Sequence, residues 1–441
     1  MSREMKNSGV DWIGEIPANW DLKPLKAILA ERKESNDPIK TDYILSLTVD
    51  KGVIPYSEKT GGGNKAKEDL SAYKLAYPND IVLNSMNVLA GSVGLSSYFG
   101  CVSPVYYMLY VRNNSYSIKY YNNIFQTKEF QGNLRGLGNG IMIKESSTGK
   151  LNTIRMRIPM SKLNSVMLPI PPAPEQQLIA DYLEQKCTEI DRNIEKTKIS
   201  IEEYKSYKQT VITEVVTKGL NSNAIMKDSG FEWIGQIPQH WKVRRLRYVG
   251  FCQNGISKGG EYFGTGYPFV SYGDVYKNIE LPHFVEGLAE TTDSEREAYS
   301  VKKGDVFFTR TSETIEEIGL AATCTHTIEN ATFAGFLIRF RPFEGLLDKN
   351  YSKYYFRSQK HRLFFVKEMN IVTRASLSQE LLKKLPVLLP DLREQQLISD
   401  HLDTICAEID NIISKKQFLI SELETYKKSL IYECVTGKKE V

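Results

Sequence analysis

The chain is poor in the residues that build metal and redox centres. Six cysteines are scattered over 441 residues, at Cys101, Cys187, Cys252, Cys324, Cys406 and Cys434, and no CxxC pair occurs. That spacing argues against a zinc site and, at this length, against a disulfide framework, and it suits a reducing compartment. Histidine totals five and never clusters along the sequence. No apolar run approaches the ~18 residues that would span a bilayer, and MSREMKNSG at the start lacks the apolar centre of a signal peptide. The expectation is a soluble, cytoplasmic protein that makes no membrane contact. Charge of one sign is also lacking, with 57 Lys and Arg against 53 Asp and Glu, a net +4. Such a balance neither announces nor excludes nucleic-acid binding, because DNA meets faces and not totals.

Catalytic motifs are missing too. TGGGNK (60–65) lacks P-loop spacing, and GISKGGEYFGTG (255–266) reads as a turn-rich loop. No Asn-Pro-Pro-aromatic or Asp-Pro-Pro-Tyr segment of an amino-methyltransferase occurs. Glu316-Glu317 and Asp391 with Glu394 read as solvated acids and not as a nuclease metal site. The expectation is no catalytic residue, no metal and no cofactor on this chain.

What is present is a repeat. SGVDWIGEIPANW (8–20) returns as SGFEWIGQIPQHW (229–241), eight of thirteen letters matching. EQQLIADYLEQKCTEID (175–191) returns as EQQLISDHLDTICAEID (394–410), eleven of seventeen matching. Each second phrase opens an apolar stripe with alternating steps of four and three, of the coiled-coil type. The stripe predicts core positions Leu183, Ile190, Ile194, Ile201 and Val211, then Leu402, Ile409, Ile413, Ile420, Leu423 and Leu430. Thr197/Lys416 and Lys208/Lys427 interrupt it at matching places and read as register setters. Pro174 and Pro390 mark the starts. At 1.5 Å per residue, ~40 residues give a rod of ~60 Å. Two such helices in one chain, each following a similar unit, predict an antiparallel pair, an internal pseudo-two-fold axis and termini that lie together.

Between the phrases the halves diverge, leaving shared punctuation. YILSLTVD (43–50) parallels YPFVSYGD (267–274). NDIVLNSMNVLAGSVGL (79–95) parallels GDVFFTRTSETIEEIGL (304–320), with Asp80/Asp305 and Gly94/Gly319 in step. IRMRIP (154–159) parallels TRASLS (373–378). DIVLN, VYYMLYV (105–111), DVFFT and FLIRFR (336–341) read as strands. The fold class is therefore α/β (α+β): two similar globular domains separated by two long helices. The expected segments are domain 1 at 1–172, helix 1 at 173–220, domain 2 at 221–389 and helix 2 at 390–441. Trp12, Trp20, Trp233 and Trp241 read as anchors joining domain to helix. A constant frame with variable filling suits a reader of a two-part asymmetric target.

The phrase WIGEIPANW, the passage IRMRIP…LPIPPAPEQQLIADYLEQK and the duplicated layout resemble the specificity subunits of Type I restriction-modification systems, over essentially the whole chain. The second helix start departs slightly, with Asp391 and Leu392 where the first has Pro172 and Ala173. The resemblance implies two target-recognition domains, each reading half of a bipartite duplex DNA site through the major groove, with the helix pair as a ruler. It implies two methyltransferase (modification) subunits and restriction/translocase subunits as partners, these using S-adenosylmethionine, ATP and Mg, while this chain is not itself an enzyme. The candidate DNA contacts are Lys144, Arg155, Arg157, Arg310, Arg339, Arg341, Arg357, Lys360, Arg362 and Arg374, since Arg pairs with guanine and Arg or Lys neutralises phosphate. Arg155/Arg374 recur and suit phosphate or structure, Arg310 stands where the first half has Ser85 and suits base reading, and Asn84 and Asn139 could read adenine. A self-contained DNA-modifying enzyme and a coiled-coil adaptor that binds no DNA are the alternatives.

Overall fold

The computed structural model describes residues 3–60, 66–138, 157–312, 317–368 and 375–441. Two helices dominate: α1 (Ala173–Lys218, 46 residues) and α2 (Leu392–Val435, 44 residues). At 1.5 Å per residue, 46 residues extend about 69 Å. Pro174 falls inside the first turn of α1, where its missing N–H costs nothing. The second start uses different chemistry. Asp391 Oδ1 accepts the Glu394 N–H at 2.8 Å, so the residue that departs from the first copy is a helix cap.

The chain divides into two compact units that are not contiguous in sequence. The first is Met1–Thr197 with Phe418–Val441, and the second is Lys198–Gln417. Each unit thus takes a segment of both helices, where the sequence suggested four consecutive blocks.

In the first unit β1 (Leu29–Arg32), β2 (Ile81–Asn84), β3 (Val93–Leu95) and β4 (Tyr106–Val111) form an antiparallel sheet in the order β1-β4-β2-β3. In the second, β5 (Gly250–Asn254), β6 (Val306–Thr309), β7 (Ala321–Thr323) and β8 (Leu337–Pro342) repeat it as β5-β8-β6-β7. Sheet order survives where letters do not. Period-two alternation buries both faces. Ile81, Leu83, Tyr107 and Leu109 point into one core with the helix Ile118–Gln126, while Val82 and Met108 point into another. Likewise Val306, Phe308, Ile338 and Phe340 enter one core and Phe307 and Leu337 the other.

Matched hydrogen bonds align the two units. The carbonyl of Ser85 accepts from Ile158 N at 3.0 Å, and that of Arg310 accepts from Leu377 N at 2.7 Å. Asp80 and Asp305 each follow a residue with positive φ, Asn79 (68°) and Gly304 (93°), and each carboxylate accepts a backbone N–H three residues back. Gly94 and Gly319 are not equivalent, however. Ile81 pairs with Leu95 and Val306 with Thr323, so the strand after the turn starts three residues later in the second unit.

The two repeated phrases bind each other. In the first unit Trp20 Nε1 donates to Glu175 Oε2 at 3.0 Å. In the second, Trp241 Nε1 donates to Glu394 Oε2 at 3.0 Å. Both indoles are fully buried. The adjacent glutamines, Gln176 and Gln395, are each 1% exposed; both donate to the preceding proline carbonyl (Pro171 and Pro390) and accept one loop N–H (Ser117 and Asp348). The end of the other helix arrives at the same indole. Gly437 has φ 72° and packs on Trp20 and Pro17, and Gly219 has φ 73° and packs on Trp241. In each unit the start of one long helix therefore meets the end of the other, so the segments run antiparallel. Lys427 pairs with Asp191 at 2.6 Å in the first unit and Lys208 with Asp410 at 2.6 Å in the second. The Lys208/Lys427 interruptions of the apolar stripe are thus cross-helix ion pairs, while of the other pair Lys416 lies over the Tyr204 ring at 5.5 Å and Thr197 donates to the Asn193 carbonyl of its own helix.

Of the stripe positions, Leu183, Ile190, Ile194, Ile201, Leu402, Ile409, Ile413 and Leu430 are buried, and Val211, Ile420 and Leu423 pack partly buried against the two main cores. Each full burial contributes about 1.5–3 kcal/mol. The N- and C-terminal segments touch: Lys438 Nζ donates to the Ile13 carbonyl at 2.8 Å and the Tyr432 hydroxyl to that of Trp12 at 3.2 Å. Among the described residues no helix is long and apolar enough to cross a membrane.

Replacing Trp241 by Phe removes the indole donor and the second ring of a fully buried side chain. The expected loss is about 1–3 kcal/mol, read as a lower urea midpoint with unchanged slope. Gly437→Ala should cost a comparable amount, about 1–3 kcal/mol, because its β-carbon would sit 2.5 Å from Pro17 at a left-handed φ.

Candidate nucleic-acid interface

Three of the predicted arginines are held by the fold, Arg339 buried and Arg341 and Arg357 half-buried. Arg339 is 2% exposed; its guanidinium donates to the Ser300 carbonyl at 2.6 Å and to Gln253, and it lies 5.3 Å from the Phe333 ring centroid. Burial, aided by the neighbouring Arg341, lowers its pKa to about 10, so it stays charged at neutral pH. By the strand register it occupies the place of Met108, on the sheet face that the second β layer covers. Arg341 grips Asp305 with two bonds of 2.6 Å, and Asp305 is fully buried. The equivalent Asp80 is held by Arg32 at 2.8 Å, from the edge strand instead. Arg357 donates to the carbonyls of Ala321, Tyr276, Val275 and Asn278, and burial lowers its pKa. Arg339 is thereby enclosed by the fold, while Arg341 and Arg357 are half-buried and bound to the fold's own acceptors.

Other candidates lie on the surface or outside the described residues. Arg157 is exposed, and Arg310 and Lys360 are half-buried. Lys144, Arg155, Arg374 and Asn139 fall outside the described residues, as does the side chain of Arg362. Asn84 is 9% exposed and its amide oxygen accepts from Met86 N at 3.0 Å, which occupies it in its own turn. Of the anchors, Trp12 is 6% exposed and meets Phe130 edge-on at 5.2 Å, while Trp233 packs against Phe364 at 5.9 Å. Glu394 is no idle surface acid, since it accepts from Trp241 and contacts His240 Nε2 at 2.8 Å.

Clefts in both units gather cations. In the first unit a cleft of about 510 Å³ brings Arg157 beside Lys33 and Lys74, with Glu31 and Tyr107 in its wall. Lys74 is tethered to the Tyr106 carbonyl at 2.9 Å, and burial lowers its pKa, Glu31 opposing and Arg157 adding to the effect. In the second unit a cleft of about 620 Å³ is lined by Arg244, Arg245, Arg247 and Tyr248 beside Ser229, Phe231 and Val243, with no acidic residue in its lining. Arg247 lies 5.0 Å from the exposed Tyr248 ring. This second cluster escaped the sequence reading, although KVRRLRY (242–248) carries four of its seven residues as cations. It sits directly after the repeated Trp phrase, where the halves begin to diverge, and the first copy there reads DLKPLKA.

Residues 238–420 match the family model for the Type I restriction modification DNA specificity domain. Over that stretch the chain is similar to Type I restriction-modification specificity subunits. It is 24% identical over 281 residues to the EcoKI specificity subunit of Escherichia coli K12, covering 62% of this chain and 58% of that one. It is 24% identical over 449 residues to the putative MjaX specificity subunit of Methanocaldococcus jannaschii, covering 97% of this chain and 96% of the relative. The fold is similar to that of a chain solved for the complex assembly and conformational transition of the type I R-M system (TM-score 0.70, 15% identity, 95% and 98% of the two chains). The HsdS subunit of Thermoanaerobacter tengcongensis is also similar (TM-score 0.54, 15% identity, 96% and 98%). The family model covers mainly the second unit, and the repeated sheet order carries the same architecture to the first.

Truncating Arg244, Arg245 and Arg247 together to Ala should flatten the dependence of DNA affinity on salt, by about 0.9 in log–log slope for each phosphate that is no longer neutralised. Arg339→Ala should do the opposite: a stability loss of about 2–4 kcal/mol with DNA affinity of the folded protein unchanged. Weaker DNA binding at unchanged stability would return Arg339 to the DNA contacts.

Proposed function

We propose that this chain is a DNA sequence-specificity subunit that reads a bipartite, asymmetric duplex site, one half through each unit, and catalyses no reaction itself. The observation that carries the reading is the pairing of constant and variable parts. The Trp–Glu junction and the sheet order recur in both units, whereas Arg310 stands at Ser85's place and Arg339 at Met108's. A duplicated scaffold with different side chains is what two unlike half-sites require, because base edges are told apart by which donors and acceptors face them. The basic clefts supply phosphate contacts that set register on the duplex.

The partners that fit this reading are two methyltransferase subunits, docked to surfaces that the internal repeat presents twice, with restriction/translocase subunits added to form the full complex. S-adenosylmethionine, ATP and Mg belong to those partners, and this chain holds no cofactor. Working beside them, it is a cytoplasmic protein.

The test is a module exchange. Residues 21–165 replaced by the matching segment of a relative with a different target should change one half-site and leave the other intact, mapped by DNA methylation of the reconstituted complex. Simultaneous change of both halves would contradict independent reading. Methylation or cleavage by the purified chain alone would place catalysis here, and absence of DNA binding with partners present would favour an adaptor.

A further inference from the structure

We propose that Glu280, His283 and His326 form a binding site for one divalent transition-metal ion on the second unit. Their ligand atoms all lie within 4.8 Å of one another. The sequence hides the site, since His283 and His326 are 43 positions apart (326 − 283) and the histidines form no cluster along the chain. The fold brings them together by backbone bonds. Leu281 N donates to the Thr323 carbonyl at 2.9 Å and Thr323 N to that of Ile279 at 3.0 Å, which lays the Glu280–His283 segment along the edge of β7. Pro282 stiffens that segment just before His283.

Three features point to a ligand. The Nε2 of His326 is buried and has no hydrogen-bond partner, an arrangement that costs about 1–3 kcal/mol unless something fills it. The two imidazoles stack with centroids 3.8 Å apart and planes 10° apart, which sets two nitrogen donors side by side. The Thr325 hydroxyl donates to Glu280 and so orients the carboxylate, as outer partners of metal ligands do. Lys353 Nζ also approaches Glu280 at 3.6 Å, but it has the closer partner Asp403 at 2.7 Å and can keep that one. A nitrogen lone pair lies in its ring plane, so shared ligation requires one ring to turn. His283 is exposed and free to do so, while His326 is half-buried with its Nδ1 3.4 Å from the Thr325 hydroxyl.

Two imidazoles and a carboxylate suit Zn²⁺, Co²⁺ or Ni²⁺ and not Mg²⁺, with water completing the shell. The ion would tie the Leu281–His283 segment to the sheet edge.

The test uses the full chain, stripped with chelator and titrated with Co²⁺, with Zn²⁺ then added in competition. The expected result is one Co²⁺ per chain with the visible d–d bands of four- or five-coordination, displaced by Zn²⁺. His283→Ala and Glu280→Gln, both at the surface of the fold, should each weaken binding about tenfold or more, and circular dichroism should show both variants folded. His401→Ala, on the exposed face of α2, should bind as the parent does. No stoichiometric binding, or binding that survives both site variants, would overturn the proposal.

Discussion

Each unit rests on a hydrogen bond between a buried indole and a carboxylate at the start of a long helix. The bond joins Trp20 to Glu175 in one unit and Trp241 to Glu394 in the other, at 3.0 Å in both. It is a charge-assisted bond from a donor that has no access to water, the class whose loss is most costly. Each indole is also the place where the end of the other helix turns away through a glycine of positive φ. Three stretches far apart in sequence therefore close on a single side chain. This explains why the chain repeats an improbable phrase: the tryptophan, the glutamate and the glycine are parts of one joint, and the joint occurs twice.

On that joint stands a sheet whose order is conserved within the molecule and whose side chains are not. The buried aspartates Asp80 and Asp305 hold the same turn but recruit arginines from different strands, Arg32 from an edge and Arg341 from the centre. Met108 and Arg339 share a position and both are buried, one by simple packing and the other with its terminal nitrogens donating to Ser300 and Gln253. Backbone bonds tolerate such changes because the ladder does not depend on side-chain identity. Divergence in this region can then serve recognition without endangering the fold.

The repeat, the long helices and the strands DIVLN, VYYMLYV, DVFFT and FLIRFR were legible because period and letter identity report local structure directly. The compact units were not, since each combines parts of both helices and no contiguous block of sequence encodes that. The arginines misled for a related reason. FLIRFR alternates as a half-exposed strand would, but a second β layer covers the face that carries Arg339. The matched glycines Gly94 and Gly319 misled because the turn between the strands differs in length by three residues, which letters alone absorb silently. Arg244, Arg245 and Arg247 stand in the divergent part, directly after the repeated Trp phrase, and it is the fold that gathers them in one cleft. His283 and His326 meet only through the pairing of Glu280 with Thr323.

The electrostatic balance bears on how recognition is achieved. A net charge of +4 leaves little long-range attraction for a polyanion. Several arginines that would have supplied it are committed inside the fold, Arg339 to Ser300 and Gln253, Arg341 to Asp305, and Arg357 to four carbonyls. Binding to random DNA rises with the number of phosphates neutralised, so on the proposed reading it rests on the local basic clefts and not on the net charge. Discrimination is the ratio of specific to random binding, so a chain that neutralises few phosphates gains selectivity from each base-edge contact it makes. On the proposed reading, a reader with two half-sites divides its base-edge contacts between them, and each half then adds to the discrimination of the whole.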